Sequence, residues 1–232
     1  MTPTVFGSRI FHTPASGGWG GPESASDGGM APAPLPNGMY VLGTTETAGP
    51  FGLHALLTAA ALQRCDITEG HAGIPLTVAL QLVDYDNQCV TLSGAEVSIW
   101  HCDAQGIYAD AEAGETFLHG VQYTDHAGCV AFKTILPGSY SMQRARIYVQ
   151  ITLPSNVPSS RTVCTASGQL CFPHTVSIAA CSHPTLYRPA LHSAATDPMG
   201  AADGRSQMLT IGGDVHTGYR ASSVIGITSA HR

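Results

Sequence analysis

The stretch ILPGSYSMQRARIYVQ, residues 135–150, decides how the rest of the chain is interpreted. It begins with a Pro-Gly turn and a tyrosine, and a short polar segment then leads into a predicted strand. Arg146 and Tyr148 lie two positions apart on that strand, so their side chains share one face while Ile147 points to the other. An arginine and a tyrosine on a core-forming strand cost free energy unless other groups satisfy them. The sequence therefore predicts partners for both side chains.

Composition and charge exclude several classes of function. Only 11% of the 232 residues are charged, the formal net charge is -6, and Lys133 is the single lysine. Binding to a phosphate backbone needs clustered Lys and Arg, so no nucleic-acid partner is expected. No apolar run approaches the length of a membrane span, so no membrane partner is expected either.

The cysteines and the first residues bear on the cellular compartment. The chain has seven cysteines, and a disulfide between Cys164 and Cys171 could close a small loop, so the state of these two and of Cys181 stays open. The first residues lack the cationic start and the apolar stretch that are typical of a signal peptide. Reduced thiols and a cytoplasmic location are expected, with secretion after removal of a precursor segment as the alternative.

Two regions are predicted along the chain. Residues 1–43 are rich in Gly, Pro, Ser and Ala and are predicted to form an extended N-terminal arm. This arm is either a flexible tail or a segment that wraps the domain or the partner subunit of a homodimer. Residues 44–232 are predicted to form one domain. Residues 54–63 (HALLTAAALQ) are its best helix candidate, and residues 66–69 are interpreted as a loop.

Short strands separated by turns dominate the domain. Residues 75–83 repeat apolar side chains with a period of two, which is typical of a strand. Residues 154–205 are predicted to be irregular, with a weak strand signal at residues 175–179. The other predicted strands are residues 95–101, 121–124, 129–135, 144–153, 207–211 and 219–227. This pattern predicts an all-β fold, an antiparallel β-sandwich with long loops.

Three segments carry a family signature, and two shorter elements accompany them. The segments are residues 67–84 (ITEGHAGIPLTVALQLVD), 94–108 (GAEVSIWHCDAQGIY) and 117–140 (FLHGVQYTDHAGCVAFKTILPGSY). The shorter elements are TAGP at 47–50 and GYRASSVIGI at 218–227. Together they resemble the intradiol ring-cleavage dioxygenases, the catechol and protocatechuate family. The resemblance implies a β-sandwich with its active site in a cleft at one side.

The resemblance also implies a set of metal ligands. The family holds a non-haem ferric ion with two tyrosinates and two histidines, and ferric iron favours anionic oxygen donors. The first family tyrosine falls in a G-x-Y element, which Tyr108 matches here. The second falls in a P-G-x-Y element, which Tyr140 matches.

The other ligand positions depart from the family pattern. The family's His-x-His pair is replaced by Arg146 and Tyr148, and no His-x-His occurs anywhere in the chain. The family arginine three residues before that pair is replaced by Gln143, with Arg144 one residue away. A guanidinium is permanently protonated, so it offers no lone pair and repels a metal cation. No cofactor is therefore expected. The alternative is an Fe3+ site that keeps Tyr108 and Tyr140 and recruits replacement ligands, such as distant histidines.

A hydrogen-bonding cluster is the expected replacement for the metal. Arg146 beside a tyrosine favours the ionised phenol and is expected to lower the tyrosine pKa, which suits an acid or base. The arginine would also stabilise an oxyanion on a bound substrate. Tyr108, Tyr140, Arg146 and Tyr148 are thus the expected catalytic residues. The expected reaction is a metal-independent cyclisation or isomerisation of a phenolic or polyketide-derived small molecule in a biosynthetic pathway.

A second set of residues is expected to bind the substrate. Gln122 matches a glutamine of the family's site wall, and His119 replaces the arginine of an L-R-G-x-Q element. The expected substrate-binding residues are Trp100, His119, Gln122, Gln143 and Arg144. Packing roles for the tyrosines, and an Arg146 that fills the vacated site by pairing with an acid such as Asp103, are the structural alternative. With these structural roles, the protein would be a catalytically inactive family member that binds a ligand or a partner.

Overall fold

Two β-sheets form the fold in a computed structural model of the protein. The structure describes residues 39–42, 62–110, 113–139, 144–153, 166–183, 185–187 and 206–228. Their strands are β1 (Met39–Leu42), β2 (Pro75–Asp84), β3 (Val90–Thr91), β4 (Glu96–Trp100), β5 (His119–Tyr123), β6 (Cys129–Ile135), β7 (Arg146–Thr152), β8 (Ala166–Cys171), β9 (Ser206–Met208), β10 (Thr210–Asp214) and β11 (Gly218–Ile227). A helix, α1, spans His174–Ala180.

The first sheet has six strands and the second has five. The first runs β1-β11-β2-β3, with β10 beside β11 and β6 beside β2. The second runs β5-β4-β7-β8-β9. Three pairings are parallel, namely β1 with β11, β11 with β2, and β8 with β9. The predicted β-sandwich class is confirmed, and the expectation of a purely antiparallel arrangement is corrected to mixed sheets.

The period-two pattern of the strands builds the core between the sheets. On β2, the apolar side chains that alternate along the strand are buried, as Leu76, Val78 and Leu80 show. On the second sheet the inward side chains include Val97 of β4 and Ile147 of β7. Along each strand, these inward apolar residues alternate with residues that point to the other face. Burial of each large apolar side chain contributes about 1.5–3 kcal/mol of stabilisation, and this contribution holds the two sheets together.

The region predicted to be irregular contains a strand and a helix. Residues 166–171 form β8, although ASGQLC has small and polar residues instead of the β-branched ones that signal a strand. Residues 175–179, given a weak strand signal, lie inside α1. Val176 and Ala180, four positions apart, are the buried residues of α1, as the helical period requires. Pro173 precedes the helix, where its missing N–H costs nothing.

Other predictions on the chain's organisation have mixed outcomes. The helix candidate at 54–63 lies outside the described residues except for its last two positions. Residues 39–42, at the end of the predicted arm, pair with β11 as a strand. The loop interpretation of 66–69 is confirmed, since Asp66 accepts hydrogen bonds from the backbone and side chain of Thr68 instead of starting a helix. No disulfide joins the cysteines of the described ranges, and Cys164 lies outside them. None of the described helices is long and apolar enough to cross a membrane.

His101 is buried in the core and gives the fold a pH dependence. Its Nδ1 lies 2.8 Å from the carbonyl oxygen of Cys102, so Nδ1 donates, and its Nε2 lies 2.8 Å from the hydroxyl of Thr134. Burial lowers the pKa of His101 to about 4. A histidine that is neutral when folded must take up a proton on unfolding in acid, so its contribution to stability falls as the pH drops from about 6.5 to about 4.

We therefore expect the free energy of unfolding to fall by about 3 kcal/mol across that window because of His101 alone. His101→Gln keeps a donor and an acceptor but does not titrate. Urea unfolding of both proteins between pH 7 and pH 4 measures the difference. If the free energy of unfolding falls equally with pH in the two proteins, His101 does not contribute to the pH dependence.

Candidate functional site

The outer face of the second sheet carries a row of buried aromatic and polar side chains. Directly opposed residues on neighbouring strands share a face, and here Trp100 is opposite both His119 and Tyr148, while Tyr148 is opposite Gln169. The Trp100 and Tyr148 rings stack, with centroids 5.5 Å apart. All four side chains are buried. The expected division of Arg146 and Tyr148 from Ile147 is confirmed, since Ile147 lies in the core between the sheets.

A short loop after β4 brings Tyr108 to this face. The Asp103 carboxylate accepts hydrogen bonds of 2.8 Å from the backbone amides of Gln105 and Ile107, which closes the loop. The Tyr108 ring lies 6.4 Å from the ring of Tyr148. Tyr108 and Tyr148 thus join Trp100 and the thiol of Cys102 in one buried cluster, which we call the phenol cluster.

The turn after β6 packs against the Tyr108 loop. The Gly138 amide donates to the carbonyl of Asp103 at 2.9 Å, and the Cys102 thiol lies 3.5 Å from the carbonyl oxygen of Gly138. A Cβ at Gly138 would lie 2.5 Å from the carbonyl oxygen of Ala104, so the turn needs glycine for this close approach. Tyr140, which follows this turn, lies outside the described residues, as does Gln143. Their expected roles stay predictions.

Gly138→Ala is expected to push this turn away from the Tyr108 loop. Because the added Cβ meets backbone rather than a movable side chain, we expect a loss of about 1–3 kcal/mol in the free energy of unfolding. Gly212→Ala is the matched control, since nothing lies within 4 Å of a Cβ there. Urea denaturation of the two variants checks this, and equal losses would contradict the role given to the close contact.

Arg146 is buried at the edge of the phenol cluster. Its Nη1 donates to the side-chain oxygen of Gln169 at 2.6 Å, and its Nε donates to the carbonyl of Arg144 at 3.2 Å. The predicted need for a partner is thus met in part by Gln169, a residue with no local signal in the sequence. Gln169 lies on β8, and only recognition of that strand and its register would have indicated it.

Burial keeps the phenols of the cluster protonated. Desolvation is the largest cause that raises the pKa of Tyr108, followed by the nearby Cys102 and Tyr148. Desolvation also raises the pKa of Tyr148, and Arg146 only partly offsets it. The expectation that Arg146 lowers the tyrosine pKa is therefore corrected, because burial outweighs the attraction. A hydrogen bond between the two hydroxyls raises the pKa of Tyr108 and lowers that of Tyr148.

Comparison with known proteins adds to this geometry. A family model described as Dioxygenase matches residues 49–154. The solved intradiol ring-cleavage dioxygenase from Tetranychus urticae is 26% identical, with 74% of this chain and 89% of that chain covered and a TM-score of 0.61. Hydroxyquinol 1,2-dioxygenase from Pseudomonas putida DLL-E4 is 15% identical, with 80% and 66% covered and a TM-score of 0.50. The second likeness concerns the fold alone. No curated protein matches the chain.

The chain has the scaffold of the intradiol ring-cleavage dioxygenases. The matched residues 49–154 include β2, the Tyr108 loop, the Gly138 turn and β7. The family signature of the intradiol dioxygenases therefore coincides with the elements that build the phenol cluster.

The residues present on this face do not fit the ferric ion that the intradiol dioxygenases hold. Arg146, to which the resemblance assigns the position of the first family histidine, is buried, and its guanidinium is a permanent cation that donates to Gln169. A cation there would repel Fe3+ and offers it no lone pair. Among the described residues, no group of three or more His, Cys, Asp or Glu side chains is placed to hold a metal ion. Tyr108 and Tyr148 supply two phenol oxygens, which are donors that ferric iron favours.

The expected substrate-binding residues lie in different places. His119 is buried, and its Nε2 lies 3.0 Å from the hydroxyl of Ser98. Its ring centroid lies 5.7 Å from that of Trp100, which places both at the site. Gln122 pairs with Val97 on the inner face and donates its amide to the carbonyl of Ala131 on β6. Its expected substrate contact is therefore corrected to a link between the sheets.

Arg144 lies just before β7 and is half-buried. Its carbonyl accepts the hydrogen bond from the Arg146 Nε, so its backbone helps to orient the guanidinium. A role for its own side chain in substrate binding stays a prediction. Lys133 is exposed and forms a 2.7 Å ion pair with Asp66.

Proposed function

We propose that this intradiol dioxygenase homologue is a metal-independent enzyme. It cyclises or isomerises a phenolic or polyketide-derived small molecule in a biosynthetic pathway. The observation that carries the proposal is the arrangement of one permanent cation, Arg146, with two protonated phenols, Tyr108 and Tyr148, on a buried face. The resemblance assigns the positions of family metal ligands to these three residues.

Such a group of donors complements an oxygen atom that gains negative charge. A guanidinium and neutral phenols donate hydrogen bonds, and Arg146 keeps its charge at any physiological pH. In a buried site these interactions are stronger than in water, since the effective dielectric constant is lower. A developing enolate or phenolate oxygen is therefore the group that this face would stabilise best.

The two phenols also suit a proton relay. In an intramolecular addition, the phenol oxygen of the substrate bonds to the β-carbon of an enone in the same molecule, and the π electrons move to the carbonyl oxygen. Tyr148, beside Arg146, would give its proton to that oxygen, and Tyr108 would pass its own proton to Tyr148 along the existing hydrogen bond. Tyr108 then recovers the proton lost by the attacking phenol. The reaction is an isomerisation that consumes no oxidant.

A model compound with a phenol and an enone in one molecule tests the proposal. Protein treated with a chelator is mixed with the compound, and loss of the enone absorbance is followed over time. We expect turnover that is insensitive to chelator and that Tyr148→Phe removes. Tyr219→Phe, a change at another buried tyrosine outside the phenol cluster, is the control and should leave turnover intact. Turnover that appears only after addition of iron would overturn the proposal.

Ring cleavage is the second candidate, and the likeness to the Tetranychus urticae intradiol ring-cleavage dioxygenase favours it. It predicts oxygen consumption with catechol, protocatechuate or hydroxyquinol after the protein is supplied with ferric iron. The absence of turnover in both assays, together with retained binding of a phenolic ligand, would instead favour the catalytically inactive, ligand-binding alternative.

A further inference from the structure

Tyr187 joins the segment that precedes β2 to the segment that follows β6. Its hydroxyl accepts a 2.9 Å hydrogen bond from the Ile74 amide and donates a 2.8 Å hydrogen bond to the Leu136 carbonyl. The Leu136 amide in turn donates to the Ile74 carbonyl at 2.8 Å. The Tyr187 side chain is buried in the core. A single hydroxyl thereby fixes the start of the turn that contains Gly138.

A second contact ties the same segment to the Tyr108 loop. The side-chain amide of Gln105 donates to the carbonyl of Leu186, the residue before Tyr187. Gln105 is also one of the two residues whose amides bind the Asp103 carboxylate and close the Tyr108 loop. Burial raises the pKa of Tyr187 to about 12, and the nearby Cys102 and Asp103 add to the shift, which places the phenol beside this loop.

We propose that Tyr187 is a positioning residue of the candidate site, which sets the Tyr108 loop and the Gly138 turn in register with each other. It touches no reacting atom in this account. The Leu136 segment that its hydroxyl binds leads into the Gly138 turn, and the residue before Tyr187, Leu186, accepts a hydrogen bond from Gln105 of the Tyr108 loop. Its effect on turnover rests on the proposed function, whereas its effect on the two loops does not.

The physical argument is that loss of the hydroxyl leaves two buried polar groups without this partner. Tyr187→Phe keeps the ring and its packing but removes both hydrogen bonds, so the Ile74 amide and the Leu136 carbonyl lose their bridge. A buried group left unsatisfied favours local opening of the segments that carry it. The opening should stay local, because the strands keep their own hydrogen bonds.

Hydrogen exchange measured by mass spectrometry tests this. In Tyr187→Phe, peptides that cover residues 102–108 and 135–139 are expected to exchange about 10-fold faster, while peptides from β2 and β11 change by less than about two-fold. Tyr219→Phe should leave both loops unchanged. In a background with Trp19 replaced by Phe, the near-ultraviolet circular dichroism of Trp100 should also change, since Trp100 stacks on Tyr148 in the phenol cluster.

Two results would overturn the proposal. One is unchanged exchange in both loops, and the other is an equal acceleration in every peptide, which indicates a general loss of stability. If Tyr187→Phe does not fold, Gln105→Ala is used in its place. It removes the hydrogen bond to the Leu186 carbonyl, and the same exchange results support or overturn the proposal. A failure of the enzyme assay leaves this test unaffected, because no substrate is needed.

Discussion

Arg146→Met is expected to lower the turnover of the phenol–enone compound by about 100- to 1,000-fold, the usual cost of losing a donor to a developing oxyanion. Methionine keeps most of the length of the side chain but removes the charge and the hydrogen bonds to Gln169 and the Arg144 carbonyl. The loss should appear in kcat rather than in KM, because the charge that Arg146 stabilises forms only in the transition state. Steady-state kinetics on chelated protein measures both.

Two further variants separate chemistry from folding. Arg146→Lys keeps the charge but not the planar fork, so an intermediate loss is expected. Arg220→Met removes an arginine from an exposed position of β11 and should leave kcat unchanged. Circular dichroism must show that Arg146→Met still folds. A folded Arg146→Met protein with the kcat of the original would contradict the role given to Arg146.

The double change Arg146→His and Tyr148→His is expected to create a ferric site where the present residues do not fit one. It removes the permanent cation and restores the family's His-x-His on β7, opposite the tyrosine of the Tyr108 loop. Two imidazoles and phenolate oxygens form the donor set that the family uses for ferric iron. The expected result is about one bound iron per chain and a visible tyrosinate-to-iron absorption band.

Metal analysis and an absorption spectrum after incubation with ferric iron and gel filtration measure this outcome. Tyr148→His alone is the control, since it adds one ligand but leaves Arg146 beside the metal, and weak binding is expected. Adding Tyr108→Phe to the double variant should remove or shift the band. If the double variant retains no more iron than the unchanged protein, Arg146 and Tyr148 are not what prevents binding.

The strands of the matched region could be predicted because their signals are local. Residues 129–135 form β6 with the predicted bounds, and β2 extends the predicted strand by one residue. Period-two alternation and Gly-containing turns carry this information along the chain itself. The separation of Tyr148 from Ile147 follows from the same alternation, so the face that carries the site could be predicted as well.

The second half of the site could not be predicted, because its partners are distant in sequence. β8 forms by pairing with β7 and has no strand composition of its own, so Gln169 was not expected opposite Tyr148. The link from Tyr187 to Ile74 spans 113 positions and has no local signal. Gln122 was assigned to the wrong role for a related reason, since only the register with Val97 shows that it points between the sheets.

The direction of the tyrosine pKa shift was predicted wrongly because the sequence shows the nearby arginine but not the burial of the phenols. The sequence places Arg146 two residues from Tyr148, and the attraction between the guanidinium and a phenolate acts to lower the pKa of Tyr148. Burial of the whole face is a tertiary property, and it raises the pKa of both tyrosines by more. The site is therefore described better as a set of donors than as a phenolate base.

The iron content of the unchanged protein tests the central claim most directly. The protein is purified, incubated with excess ferric iron, passed through gel filtration, and examined by metal analysis and by its visible spectrum. The replacement of the family's histidines by Arg146 and Tyr148 predicts far less than one iron per chain and no tyrosinate-to-iron band. One iron per chain, with a visible band that Tyr108→Phe removes, would contradict the claim that this face no longer holds the metal.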